Sequence, residues 1–139
     1  MATVSSYLNF NGNTEEAFNF YKSVFGGEFT VLQRFKDNPE GGKMSAADQE
    51  KIMHVSLQIG QGSVLMATDA LESMGQKFVP GKNFHLAIMA ESEEEANKLF
   101  NGLSADGKIT VPLQKSSWGA LFGMFTDKFG IQWMVNYAY

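Results

Sequence analysis

The chain has 139 residues, a formal net charge of −4 and no cysteine, and 44% of its residues are hydrophobic. This composition predicts one globular domain and excludes disulfides, thiolate nucleophiles and thiolate metal sites. The sequence has no Lys/Arg cluster, no apolar run near the roughly 20 residues of a membrane span and no signal-peptide pattern, so we expect a cytoplasmic protein without nucleic-acid or membrane partners.

The first half of the chain is predicted to form a strand, a helix and three further strands. Residues 3–10 alternate as a strand does, and Thr14 is a suitable N-cap for a helix that ends at a glycine pair. Three more strands are predicted at 28–35, 51–59 and 63–68, with a polar loop over 36–50 and a hairpin turn at Gly60-Gln61-Gly62. Asp69 follows the last strand and could cap the next turn.

The second half is predicted to repeat this order of elements. Residues 69–82 form an irregular link, and residues 83–90 read as a strand. Ser92 is a suitable N-cap for a helix that begins at Glu93. Strands follow at 108–113, 119–126 and 131–137.

Short sequence matches support an internal repeat. Glu15-Glu16-Ala17 corresponds to Glu94-Glu95-Ala96, and each triplet is followed by an aromatic residue four positions after the alanine. We therefore predict a single α+β domain over residues 1–139, with modules at roughly 1–70 and 81–139. Each module would be a βαβββ unit, and together they would form a curved mixed sheet around a shared cleft. Chance similarity between two α+β segments is the alternative.

Two longer motifs resemble a known family. Residues 7–27 and 116–136 resemble the opening and closing segments of the vicinal oxygen chelate (glyoxalase/bleomycin resistance) superfamily, the latter in its PhnB-like branch. The resemblance implies paired βαβββ modules and a homodimer. Many members hold a divalent metal ion in the cleft, and others bind small molecules without catalysing a reaction.

The family's metal positions carry poor ligands in this sequence. The resemblance places Ser6 and His85 on the first strands of the two modules, and Met66 and Met134 on the last strands. Of these, His85 alone suits a hard divalent ion, because a serine hydroxyl is neutral and thioethers prefer soft ions such as Cu(I). We therefore predict a degraded metal site, with no bound metal and no cofactor.

A small-molecule pocket lined mostly by apolar groups is the hypothesis that remains. His85 is the best candidate for a catalytic group, and Trp118 could stack on a flat ligand. Core packing is the alternative for the aromatic and methionine residues, and chance placement for the second histidine, His54. The predicted ligand-binding residues are Tyr7, Asn9, Met66, His85, Trp118, Phe122, Met124, Trp133 and Met134.

The sequence thus favours a small-molecule-binding protein whose ligand lies in the cleft between the modules. The alternative is a divalent-metal-dependent lyase or dioxygenase of the glyoxalase type. That alternative needs at least three convergent His or carboxylate ligands. Whether the chain is an enzyme is left open by the sequence.

Overall fold

A computed structural model of the chain describes residues 2–39, 43–60 and 62–139. Residues 40–42 of the predicted polar loop and Gln61 of the predicted hairpin turn lie outside this part of the chain. The fold comprises two compact units, one ending at Val79 and the other beginning at Pro80. Each helix in the described ranges is too short or too polar to cross a membrane.

The first unit contains a four-stranded mixed sheet and one long helix. Its sheet has the order β1-β4-β3-β2, in which β1 runs parallel to β4 and the other pairs are antiparallel. The predicted polar loop contains a short helix, and a 3-10 turn spans the start of the loop. The elements are β1 (Ser6–Phe10), α1 (Thr14–Phe25), β2 (Glu28–Arg34), the 3-10 turn Phe35–Asp37, α2 (Ala46–Gln49), β3 (Ile52–Ile59) and β4 (Ser63–Asp69).

The second unit repeats this plan. Its sheet has the order β5-β8-β7-β6, again with one parallel pair, β5 with β8. The elements are β5 (Leu86–Met89), α3 (Glu93–Ser104), β6 (Lys108–Lys115), β7 (Ala120–Thr126) and β8 (Gln132–Ala138). The α+β class and the paired βαβββ modules predicted from the sequence are therefore confirmed.

One face of the first sheet packs on α1, and we call it the helix face. Successive residues of a strand point to opposite faces, so every second residue of β1, β3 and β4 lies on this side. Phe10 on β1 meets Phe18 on α1 edge to face, with ring centroids 6.2 Å apart. The buried helix-face residues of the three strands are Leu8, Phe10, Val55, Leu57, Leu65 and Ala67. The opposite side of the sheet, the open face, carries the alternate residues.

The second sheet packs on α3 in the same manner. Phe100 of the helix meets Phe125 of β7 with ring centroids 5.1 Å apart and ring planes at 82°. The buried core of this unit consists of Leu99, Phe100, Leu103, Leu121, Phe125, Trp133 and Val135. Each unit thus has a helix face that forms its core and an open face that does not contact its own helix.

The start of α1 differs from the prediction. Thr14 is not the N-cap but the first helical residue, and the preceding Asn13 makes no side-chain capping bond. The capping group is instead Asp69 at the end of β4, whose Oδ1 accepts hydrogen bonds from the Thr14 amide at 3.0 Å and the Thr14 hydroxyl at 2.6 Å. Its Oδ2 accepts from the Ile52 amide at 2.8 Å. Asp69 therefore joins α1, β3 and β4, and it does not cap the turn that follows it.

The start of α3 agrees with the prediction. The Ser92 side chain accepts a hydrogen bond from the Glu95 amide at 3.0 Å, and the helix begins at Glu93. The Glu95 carboxylate in turn accepts from the Glu91 amide at 3.0 Å. Side chains close in sequence thus satisfy one amide of the first helical turn, that of Glu95, and one amide just before the helix, that of Glu91.

Candidate functional site

The open face of the first unit is organised in rows that run across the strands. Tyr7 on β1 pairs with Met66 on β4, Met66 with Ser56 on β3, and Ser56 with Val31 on β2. These four residues form one continuous row across the sheet, which we call the first row. The positions of its members follow from alternation along the strands and from the register between them.

A second row lies beside the first and is more polar. Asn9 pairs with Thr68, and Gln33 pairs with His54. The pairing of Val55 with Ala67 places His54 next to Thr68, so the second row runs Asn9, Thr68, His54, Gln33. The two rows together present an aromatic and apolar strip beside a strip of amide, hydroxyl and imidazole groups.

Tyr7 and His54 form a stacked aromatic pair on this face. Their ring centroids are 5.8 Å apart, and their planes differ by 25°. Since β4 lies between β1 and β3, the two rings meet above β4. The stack therefore connects β1 with β3, which are not neighbours in the sheet. Tyr7 remains 48% exposed, so part of its ring is accessible.

Most polar side chains of the two rows make no hydrogen bond to another residue in the described part of the chain. Thr68 is the exception, because its hydroxyl donates to the Met53 carbonyl at 2.8 Å. Within residues 2–39, 43–60 and 62–139, no hydrogen bond engages the side chains of Tyr7, Asn9, Gln33, His54 or Ser56. Ser56 is 7% exposed as a whole residue, and its hydroxyl oxygen is not among the buried side-chain atoms. The hydroxyl is therefore accessible from the open face and can hydrogen-bond a bound molecule or water there.

The charged groups nearest these rows point elsewhere. Arg34 at the end of β2 donates to both carboxylate oxygens of Glu15 on α1, at 3.2 and 2.5 Å. The hydrogen bond from Arg34 holds the pKa of Glu15 below its ordinary value, and the same bond raises the pKa of Arg34. This ion pair joins β2 to α1 and leaves the two rows without a permanent charge.

The open face of the second unit is richer in methionine. Met124 on β7 pairs directly with Met134 on β8, and Phe122 pairs with Asn136. Gln132 at the start of β8 donates to the Phe84 carbonyl at 2.6 Å, which fixes the chain just before β5. This face therefore offers thioether and aromatic surface with few free polar groups.

The predicted ligand-binding residues fall into three groups. Tyr7, Asn9 and Met66 lie on the open face of the first unit, as a ligand site there requires. Phe122, Met124 and Met134 lie on the open face of the second unit. Trp118 and His85 lie outside the strands. Trp118 is 67% exposed, and its ring centroid is 5.5 Å from that of Phe122. His85 is partly buried and directly precedes β5.

The placement of Trp133 corrects the prediction made for it. It is 2% exposed, on the helix face of the second sheet, and its indole nitrogen donates to Oδ2 of Asp127 at 2.8 Å. Because Trp133 and Met134 are neighbours in one strand, they point to opposite faces and cannot both line one site. Trp133 is thus a core residue with a satisfied polar group.

Five residues of the two rows were not predicted as site residues, namely Val31, Gln33, His54, Ser56 and Thr68. His54, which was attributed to chance placement, and Ser56 are the two that lie on β3. The alternation of residues 52–59 was the available signal, because it places both on the side opposite Val55 and Leu57. The stack with Tyr7 depends on the strand order, which the sequence alone does not show.

The residues at the family's metal positions do not suit a hard divalent ion. Ser6 pairs with Leu65 on the helix face, whereas Met66 lies on the open face, so these two residues do not converge. Thioethers are soft ligands that such ions bind poorly. Among the described residues, no group of three or more His, Asp or Glu side chains is arranged to hold a metal ion.

Comparison with known proteins identifies relatives over nearly the whole chain. The family model described as Glyoxalase/Bleomycin resistance protein/Dioxygenase superfamily matches residues 4–135. Protein YjdN of Escherichia coli (strain K12) is 33% identical, with 96% of this chain and 93% of that protein covered. The crystal structure of protein PA1353 from Pseudomonas aeruginosa has a TM-score of 0.86 at 37% identity, covering 99% and 98% of the two chains. A PhnB protein from Bacillus cereus has a TM-score of 0.77 at 28% identity, covering 99% of this chain and all of its own (100%).

Proposed function

Because the chain belongs to the glyoxalase/bleomycin resistance protein/dioxygenase superfamily, we propose that it is a small-molecule-binding member that holds its ligand without a divalent metal ion. The similarity to the PhnB protein from Bacillus cereus supports placing the chain in the PhnB-like branch of this superfamily. Membership alone leaves the choice between binding and catalysis open, since one fold serves many functions. The choice therefore rests on the residues of the open faces.

The observation that carries the proposal is the stacked pair of Tyr7 and His54 beside the Ser56 hydroxyl. It combines an accessible aromatic surface with polar groups that make no side-chain hydrogen bond among the residues that the structure describes. Ligand sites typically consist of apolar and aromatic walls with a few placed polar groups. We propose that Asn9 and Met66 on the same face, and Phe122, Met124 and Met134 on the open face of the second unit, also contact ligand.

The competing function is a metal-dependent lyase or dioxygenase of the glyoxalase type. Such an enzyme needs three or more hard ligands around one ion, and the described donors do not supply them. The test is elemental analysis of protein that has been purified without chelator and then dialysed. We expect far less than one equivalent of zinc, nickel, manganese or iron. About one equivalent of any of these ions after dialysis would overturn the proposal.

His85 is the side chain that we propose as the catalytic group if the protein turns over a ligand. It lies directly before β5, next to the segment that Gln132 fixes through the Phe84 carbonyl. A histidine can exchange a proton near neutral pH without a metal ion. With a turned-over ligand in hand, His85→Gln should preserve binding and abolish turnover, and unchanged turnover would exclude this role.

We also propose that the protein is a homodimer, as the superfamily membership supports. Light scattering coupled to size-exclusion chromatography should then give twice the chain mass of 15.4 kDa. A mass of one chain at micromolar concentration would contradict the proposal. The result does not bear on the site at Tyr7, His54 and Ser56, since these three residues belong to one unit.

A further inference from the structure

The geometry of the open face points to a ligand class: we propose that the first unit binds an uncharged, planar ring whose polar edge faces the second row. This inference rests on the proposed function and adds to it the chemistry of the ligand and its position. It concerns the first row, Tyr7, Met66, Ser56 and Val31, and the second row, Asn9, Thr68, His54 and Gln33.

The first step is the flat surface that the aromatic pair provides. Tyr7 and His54 stack with nearly parallel planes, and about half of Tyr7 is exposed. A third ring can extend such a stack, because offset parallel rings attract each other beyond the effect of buried area. Met66 lies directly beside Tyr7 in the first row, and its thioether makes favourable contacts with ring edges.

The second step is the difference in polarity between the rows. The first row is apolar except for the hydroxyl groups of Tyr7 and Ser56, whereas the second row carries the amides of Asn9 and Gln33 and the imidazole of His54. A molecule that lies across both rows therefore meets apolar surface on one side and hydrogen-bonding groups on the other. The accessible Ser56 hydroxyl can donate to or accept from a substituent that lies over the first row.

The third step is the absence of permanent charge. None of the eight residues of the two rows is Lys, Arg, Asp or Glu, although the chain contains 11 basic and 15 acidic residues. Arg34, the charged residue that follows Gln33, is engaged by Glu15. A carboxylate or ammonium group on the ligand would lose hydration here without gaining a counter-ion, which is unfavourable. Uncharged hydrogen-bonding groups avoid this cost.

The experiment uses four small probes of matched shape and the full-length protein. 4-Hydroxybenzamide is a neutral planar ring with a polar edge, and 4-hydroxycyclohexanecarboxamide is its saturated counterpart. 4-Hydroxybenzoate adds a negative charge, and 4-hydroxybenzylamine adds a positive charge. Binding is followed by NMR titration of the histidine Hε1 signals, one from each of the two histidines of the chain. His85→Gln removes one signal and so assigns the other to His54.

We expect 4-hydroxybenzamide to shift the His54 signal and to bind about tenfold more tightly than each of the other three probes. Tyr7→Leu should weaken its binding about tenfold, and Ser56→Ala should weaken it by a smaller factor. Phe78→Leu is the matched control, since Phe78 is 40% exposed but lies outside the strands, and binding should not change. Thermal unfolding of each variant verifies that it is folded.

The outcomes separate this inference from the proposed function. Equal binding of the saturated or charged probes at His54 would overturn the ligand class and leave the proposed function standing. Binding that leaves His54 unshifted and is unaffected by Tyr7→Leu would overturn the position of the ligand, again without touching the proposed function. If none of the four probes perturbs any signal at millimolar concentration, both the inference and the assignment of this face as a ligand site are wrong.

Discussion

At the scale of single residues, Asp69 is the side chain on which the architecture of the first unit depends most. It is 1% exposed and accepts three hydrogen bonds, two from Thr14 and one from the Ile52 amide. A carboxylate at a helix N-terminus is also favoured by the helix dipole. One side chain therefore satisfies buried donors on α1 and β3 from its position at the end of β4.

Asp69→Asn should lower the free energy of unfolding by about 2–3 kcal/mol. The asparagine oxygen can replace Oδ1, but its amide group would face the Ile52 amide and leave that buried donor unpaired. Urea unfolding followed by circular dichroism measures the change. Asp106→Asn is the control, because Asp106 is exposed and its φ of 60° is well tolerated by asparagine. Equal stability of the two variants would contradict this account of the cap.

The pair of Arg34 and Glu15 predicts a pH dependence. The Arg34 hydrogen bond lowers the pKa of Glu15, so the pair contributes stability above the unfolded-state pKa of about 4.3, and that contribution is lost as the pH falls through the lower folded-state pKa. Glu15 is 46% exposed, so screening by water limits the effect at pH 7 to about 0.5 kcal/mol. Glu15→Gln should cost this amount at pH 7 and progressively less toward about pH 3.

The matched control for this prediction is Glu16→Gln. Glu16 is exposed and lies in the same first turn of α1, so it shares the interaction with the helix dipole. The difference between the two variants, measured by urea unfolding across the pH series, isolates the ion pair. A difference that persisted or grew at low pH would show that Glu15 acts through packing and not through charge.

At the scale of elements, Gly123 determines how closely β6, β7 and α3 approach each other. A Cβ atom placed on it would lie 2.6 Å from Cε2 of Phe100 and 2.9 Å from the Cα atom of Leu113. Both distances are shorter than carbon atoms tolerate, and the second involves backbone. The absence of a side chain at this position therefore allows Phe100 to pack directly on β7.

Gly123→Ala should destabilise the protein by about 2 kcal/mol, because the added methyl group forces α3 or β6 to move. Gly81→Ala is the control, since the nearest atom to its added Cβ would be 3.9 Å away, and its effect should stay within about 0.5 kcal/mol. Urea unfolding of both variants tests the prediction. Equal stabilities would mean that the second unit adjusts to the methyl group at little cost.

The elements were predictable where the information is local in sequence. Alternation and turn residues placed β3, β4, β7 and β8 within one residue of their observed bounds. The edge strand β2 was predicted equally well, but β1 and β5 each begin three residues later than predicted, because they are limited by the partner strand beside them and not by their own composition. The cap of α1 was missed for a related reason, since Asp69 and Thr14 are 55 positions apart in the sequence.

The candidate site was predictable only in part. Alternation correctly grouped Tyr7 with Asn9 on β1, and Phe122 with Met124 on β7. Alternation also contradicts the prediction that Trp133 and Met134 both line the ligand site, because neighbours in a strand point to opposite faces. That prediction was made from residue type and not from position. The stack between Tyr7 and His54 involves β1 and β3, which are not neighbours in the sheet, so no local pattern indicates it.

At the scale of the whole molecule, two units with one topology carry different open faces. The first presents aromatic and amide groups, with Tyr7 and Asn9 as examples, and the second presents the directly paired Met124 and Met134. Their helix faces, in contrast, are both built from buried aliphatic and aromatic residues. The repeat therefore preserves what stabilises each unit, whereas the residues available to a ligand differ.

The donor chemistry of the whole chain predicts that its stability is independent of divalent metal ions. An ion at one hundred times its dissociation constant adds about 2.7 kcal/mol to a folded protein, which for a chain of this size raises Tm by about 10 °C. We expect Tm in excess EDTA to equal Tm in excess zinc, nickel or manganese, because the described residues offer no group of three hard ligands. Thermal unfolding of the dialysed protein in EDTA, and in zinc, nickel, manganese or magnesium, is the measurement. A Tm that falls by several degrees in EDTA and returns with one of these ions, but not with magnesium, would show a specific site that the donor chemistry fails to explain.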